Sequence, residues 1–267
     1  MTNRNVTVSL LSRDDDYLEH HIKHLQNIMK KTGLENTPLI LDEWDSTLWQ
    51  RDPVSDTCYH SSYITRNILK NADHVTAMAQ AVISDYSEET LPENGLFFGA
   101  AGIFTYNGLR KNIFYCYQML SDLGTEKLAC GDGWACIKHE TTLQIILWYN
   151  CHYHRSYGYQ LKMISKYDRY AVFLENKSRT FHCEISGLPA GILNLREQKI
   201  GRDSGSIYDK WVEMGSPDEL TSCALNYLDR SSIPSLHIRK IEHNSPNLNL
   251  KYTLNPHDVL RVDITPE

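Results

Sequence analysis

The sequence predicts two unlike halves: βα units of the α/β-barrel kind as far as residue 124, then an all-β region of sandwich type. Two observations carry this. In the first half, apolar runs end abruptly in carboxylates, and amphipathic helical stretches alternate with them. Beyond Gly124, short strand patterns recur between turn residues at the spacing of an all-β domain.

The first helix follows Asp14-Asp15-Asp16, an acidic run suited to the positive N-terminal end of a helix dipole. Tyr17, Leu18, Ile22, Leu25, Ile28 and Met29 then recur at helical spacing, and Gly33 stops the helix. Pro38 opens the apolar run Leu39-Ile40-Leu41, which breaks into Asp42-Glu43-Trp44-Asp45. A helix over about 56–69 turns Tyr59, Tyr63, Ile64, Ile68 and Leu69 inward. A second strand, 75–83, again ends in acids: Asp85, Glu88 and Glu89. After a loop holding Gly95, Gly99 and Gly102, a third helix covers about 113–123. In the second half, strands are predicted at 134–139, 142–149, 171–174, 180–185, 191–200, 235–241 and 259–264, with one short helix at 221–228. The boundary near 124 gives two domains, 1–124 and 125–267.

Composition narrows the function. With 41% hydrophobic and 22% charged residues, the 267-residue chain is neither disordered nor a coiled coil. Lys and Arg number 27 against 33 Asp and Glu, a net charge of -6, and no basic cluster offers a nucleic-acid surface. No apolar run approaches the ~20 residues of a membrane span. The start has no secretory leader pattern, and the seven scattered cysteines contain no C-x-x-C pair. A cytoplasmic chain with reduced thiols is expected.

Glu43 is the first candidate for chemistry. It lies at the end of an apolar strand between Asp42 and Asp45, beside Trp44. Neighbouring acids raise one another's pKa and an indole lowers the local dielectric, conditions that suit a carboxylate attacking or protonating a substrate. The other reading is an exposed acidic turn after a strand.

Longer stretches point further. LILDEWDSTLWQRDPVSDTCYHSSYITRNIL (39–69) resembles the nucleophile segment of glycoside hydrolase family 39, the β-xylosidase and α-iduronidase family, whose pattern there is close to T-E-W-N-S/T followed by D-T-C-Y. SDYSEE (84–89) is similar to the family's S-D-x-F-E-E, and the stretch 96–124 to its F-x-G-G-x-G-L…L-G run. Residues 203–236 look like the accessory sandwich of the subfamily often fused to AraC-type DNA-binding domains. The resemblance implies a (β/α)₈ barrel with a β-sandwich and hydrolysis with retention, through a glycosyl-enzyme. By position it makes Glu43 the nucleophile. It assigns Asp85, Glu88 and Glu89 to the sugar subsite, and Trp44 to stacking beneath the ring. The substrate it implies is a xylose-containing saccharide, hydrolysed without metal or organic cofactor.

The departures are specific. Asp42 stands for the usual Thr and Asp45 for the usual Asn, adding negative charge beside the nucleophile; Ser87 stands for an aromatic and Ala100 for a glycine. The family's acid/base glutamate follows an asparagine, and no Asn-Glu dipeptide occurs in the chain. The resemblance therefore implies strands seven and eight of a barrel followed by the sandwich, the C-terminal portion of a longer enzyme. That portion is expected to need the N-terminal barrel half, in the same or a separate chain, and to be inactive alone. A non-catalytic sugar-sensing module of an AraC-type regulator is the alternative.

Three other patterns carry less. His20, His21 and His24 share a helix face, and His152 and His154 one side of a strand end, but neither set has a complete ligand group, so no metal is assigned. The run Gly99-Ala100-Ala101-Gly102 lacks the Lys-Ser/Thr of a phosphate loop. No G-x-S-x-G elbow occurs.

Overall fold

A computed structural model describes residues 11–47, 51–86, 95–158 and 164–267. Helix α1 (Tyr17–Lys31) ends where Gly33 takes a left-handed φ of 75°. The Leu34 N–H then returns to the Met29 carbonyl at 2.8 Å, a closure only a residue tolerant of positive φ permits easily. Strand β1 (Ile40–Trp44) pairs in parallel with β2 (Ala77–Gln80), and α2 (Cys58–Asn71) connects them. A single 3₁₀ turn, Pro53–Asp56, precedes α2, whose N-terminus is capped by the Thr57 hydroxyl. After β2 the chain reaches α3 (Asn112–Ser121).

Helix α2 is buried on most of its surface, which its polar residues make tolerable. Ser61, Ser62 and Thr65 return their hydroxyls to carbonyls one turn back, at 2.9–3.0 Å.

The second half builds a six-stranded antiparallel sheet in the order β3-β4-β5-β10-β7-β8. Its strands are β3 (Glu126–Gly131), β4 (Trp134–His139), β5 (Thr142–Trp148), β7 (Gly191–Ile200), β8 (Ser235–His243) and β10 (Val259–Pro266). A separate antiparallel ribbon joins β6 (Arg179–Ser186) to β9 (Asn247–Leu254). A four-residue helix α4 (Arg155–Gly158) and the helices α5 (Ile207–Glu213) and α6 (Ser222–Ser231) complete the chain.

Strand β5 explains how these layers stack. Successive side chains on a strand point to opposite faces. Ile146 and Trp148 enter a core shared with Trp44, Ile64, Leu69, Ile113 and Met119, whereas Ile145 and Leu147 face Phe181, Ile185 and Leu250 of the ribbon. One core thus spans both sides of residue 124. A third cluster sets Leu96, Phe97 and Leu109 against Ile207, Tyr208 and Trp211 of α5.

The structure changes the expected elements in several places. The stretch 171–174 is a 3₁₀ turn, Arg169–Val172, with Phe173 in an isolated bridge to Tyr153, because Arg169 and Val172 are drawn inward from it. Helix α5 is additional; its Ser206 hydroxyl accepts from the Asp209 N–H at 3.3 Å. Strand β3 is additional and exposed throughout, so it has no apolar period to read. Strand β9 is additional as well, its alternation masked by Asn and Lys on the outer face.

His257 is a pH sensor of this packing. It is 1% exposed, its ring lies 4.2 Å from that of Phe173, and burial, aided by the Arg202 charge, pushes its pKa down to about 3. Between that value and the ordinary 6.5 the unfolded chain binds a proton that the folded chain refuses. This contribution is therefore complete above pH 6.5 and is lost as pH falls towards 3. Substitution His257→Asn should flatten the acid limb of a urea-stability profile by on the order of a few kcal/mol.

Candidate functional site

The site is built on the end of β1. Pairing with β2 slips by one residue between Leu41 and Trp44, a bulge of the kind that re-aims side chains. Leu41 and Trp44 both pack towards the helices as a result, while Asp42 and Glu43 are both exposed. Among the described residues the Glu43 carboxylate makes no hydrogen bond or ion pair. It stands free at the C-terminal end of a parallel strand, where α/β folds place their chemistry.

The residues after Glu43 are tightly held. Trp44, expected beneath a sugar, is 7% exposed and lies on the helix side, its ring centroid 6.4 Å from that of Tyr63. The Trp44 carbonyl accepts from the Ala81 N–H at 3.1 Å. The Asp45 carboxylate, 3% exposed, meets His60 Nε2 at 2.5 Å and accepts from Gln80 Nε2 at 2.8 Å. His60 turns its other nitrogen, Nδ1, to the Ser55 carbonyl at 3.0 Å. Gln80 is fixed in turn, its Nε2 donating to the Ala101 carbonyl and its Oε1 accepting from the Tyr117 hydroxyl at 3.0 Å. His60, Gln80 and Tyr117 carry no local signal in the sequence; only the fold brings them to Asp45.

Asp85, expected at the sugar subsite, is instead completely buried. It accepts from the Gly102 N–H at 2.9 Å and faces Lys111 Nζ at 3.3 Å. Lys111, also fully buried, reaches Asp56 at 2.6 Å and donates to the Ala100 carbonyl at 2.6 Å. Arg169 pairs with Asp56 and donates to the Phe97 carbonyl at 2.6 Å. Burial pushes the Asp85 carboxyl up to about 7 against the pull of Lys111. For Asp56 burial acts the same way, but the Lys111 and Arg169 charges outweigh it and hold the carboxyl below its ordinary value. Glu88 and Glu89 lie outside the described residues.

This network also accounts for the glycine-rich loop. A Cβ on Gly99 would stand 2.6 Å from the Asp52 carbonyl carbon, and one on Gly102 2.3 Å from the Asp85 nitrogen. The glycines admit backbone against backbone, and their N–H groups bind carboxylates of the chain itself.

The histidine groups disperse. His20 pairs with Asp14, His152 meets Ser12 and Asp15, and His154 meets Ser156. Among the described residues no three His, Cys, Asp or Glu side chains are grouped to hold a metal, and no helix is long and apolar enough to cross a membrane.

Comparison with known proteins gives concordant matches. The sequence model of Glycosyl hydrolases family 39 matches residues 9–245. A Beta-xylosidase of Geobacillus stearothermophilus is 26% identical over 118 residues, 44% of this chain and 23% of that protein. Among solved structures, a monomeric beta-xylosidase from Caulobacter crescentus CB15 superposes with a TM-score of 0.82 at 20% identity, covering 100% of this chain and 53% of that one. The GH39 enzyme from Xanthomonas axonopodis pv. citri gives 0.81 at 19%, covering 97% and 50%. The chain spans about half the length of the solved relatives it matches.

Replacing Lys111 by Met leaves Asp56 and Asp85 buried without their shared cation. The variant should lose about 3–5 kcal/mol of stability, read as a lower urea midpoint.

Proposed function

We propose that this chain, which belongs to glycosyl hydrolases family 39, carries the nucleophile Glu43 of a retaining glycosidase of β-xylosidase type. The observation that supports the reading best is an exposed carboxylate on a bulge at the C-terminal end of a parallel strand, within a sequence that matches a glycosidase family. In this reading β1 and β2 are the last two strands of a (β/α)₈ barrel and α1–α3 belong to its outer ring. The six-stranded sheet and the β6-β9 ribbon form the accessory sandwich, with the domain boundary near 124.

The substrate is a xylose-containing saccharide. A Glu43 oxygen bonds to the anomeric carbon as the aglycone oxygen departs with a proton from an acid/base carboxylate about 5–5.5 Å away. Water, deprotonated by that second carboxylate, then cleaves the ester. The second carboxylate belongs to the N-terminal barrel half, outside these 267 residues. Glu88 and Glu89 line the sugar subsite. Asp85 fixes the chain beyond β2 from within, and Trp44 fixes the strand end. No metal or organic cofactor enters this route.

The test is covalent trapping in the full-length protein with 2,4-dinitrophenyl 2-deoxy-2-fluoro-β-xyloside, whose leaving group needs little acid help. One adduct is expected, on Glu43, and Glu43→Ala should form none and lose at least about 10⁴-fold in aryl xyloside turnover. An adduct on another residue, or full turnover by Glu43→Ala, overturns the assignment. Asp42, a second exposed carboxylate beside Glu43, favours the alternative, a non-catalytic sugar-sensing module of an AraC-type regulator. Reversible xyloside binding without any adduct is the signature of that alternative.

A further inference from the structure

We infer that Asp45 and His60 form a charge-neutral positioning pair that fixes the strand end behind Glu43 and keeps the Asp45 charge from the reacting centre, an inference that rests on Glu43 being the nucleophile. The placement of hydrogens requires the neutrality. His60 Nδ1 lies 3.0 Å from the Ser55 carbonyl, which can only accept, so Nδ1 carries a hydrogen. Its Nε2 lies 2.5 Å from Asp45 Oδ1, a second acceptor. A hydrogen must therefore sit between Nε2 and Oδ1 as well. Whichever atom holds it, the pair as a whole is uncharged.

Water does not supply this neutrality, because the His60 and Asp45 side chains are 0% and 3% exposed. An unpaired carboxylate there would act across a medium that screens poorly. It would stand two residues from Glu43, repel that carboxylate and disturb the geometry that its attack on the sugar needs. The second Asp45 oxygen is claimed by Gln80, and Gln80 by Tyr117 and Ala101. Groups from β1, β2, α2, α3 and the glycine-rich loop thus converge on one side chain. Asp45 is held from both sides, and the backbone that aims Glu43 is held with it.

The test uses the full-length protein and the same fluoroxyloside, separating the maximal labelling rate of Glu43 from the half-saturating probe concentration. His60→Gln strands the Asp45 charge and should slow the maximal rate about 100-fold, with half-saturation changed less than about threefold. The double variant Asp45→Asn/His60→Gln replaces the pair by two amides with no charge to strand. It should recover to within about threefold of the unaltered protein. A His60→Gln variant that labels at the unaltered rate overturns the inference. So does a double variant as slow as the single one, since His60 would then act by packing alone. If His60→Gln does not fold, Asp45→Asn decides: labelling within about threefold upholds charge neutrality as the requirement, and a loss of about 100-fold overturns it. Unaltered protein that takes no label removes the nucleophile assignment itself, a failure distinct from these.

Discussion

The structure depends on a buried set of four charges, Asp56, Asp85, Lys111 and Arg169, all nearly or fully removed from solvent. Two cations meet two carboxyl groups, and further donors are spent on backbone. Lys111 and Arg169 reach the carbonyls of Ala100 and Phe97, while the N–H groups of Gly99 and Gly102 reach Asp56 and Asp85. Taking such charges out of water is expensive, and apolar side chains of equal volume would often stabilise a fold as well. What apolar packing would not do is fix a loop with little regular structure in one conformation. Here the turn before α2, the exit of β2, the glycine-rich loop, the start of α3 and the turn at Arg169 are all bound at one point.

That constraint separates the residues which support the rim from those which face outward. Trp44 is adjacent in sequence to the exposed Glu43, and Asp85 ends the stretch beyond β2, yet both are internal. Asp45 is internal too, and its charge, which the sequence suggests would burden Glu43, is met by His60. Glu43 is left exposed because the bulge turns Leu41 and Trp44 inward on either side of two outward residues. The position of the carboxylate is thus a consequence of packing three residues wide.

Much of this was legible beforehand where one period or one cap governs. The expected helices near α1, α2 and α3, and strands β4, β5 and β7, carry strong apolar patterns or clear stops, and they lie where expected. Strand β3 has no buried face to announce it, and α5 is a seven-residue helix whose burial comes from Phe97 and its neighbours, more than 100 residues upstream. The exposed carboxylate could be read from a strand that breaks into acids. The roles of Asp45 and Asp85 could not, because their partners His60, Gln80 and Lys111 lie 15 to 35 residues away and meet them only when the layers stack.

The open face of the β1-β2 pair results from the same packing. A parallel pair is stable only when both faces are covered and its edges are matched. One face is covered, since Leu41, Met78 and Trp44 pack with α2 and α3. On the other, Ile40 is 55% exposed, and Ile83 beyond β2 is 70% exposed. The helices and the six-stranded sheet therefore suffice to hold two parallel strands in place, but not to close a cavity around Glu43. A retaining mechanism needs a second carboxylate across the sugar from the first. On the proposed reading, that second carboxylate approaches from the open face. On that reading the rigidity of the covered side has a function, because the proposed nucleophile must already be aimed when the second carboxylate meets the sugar.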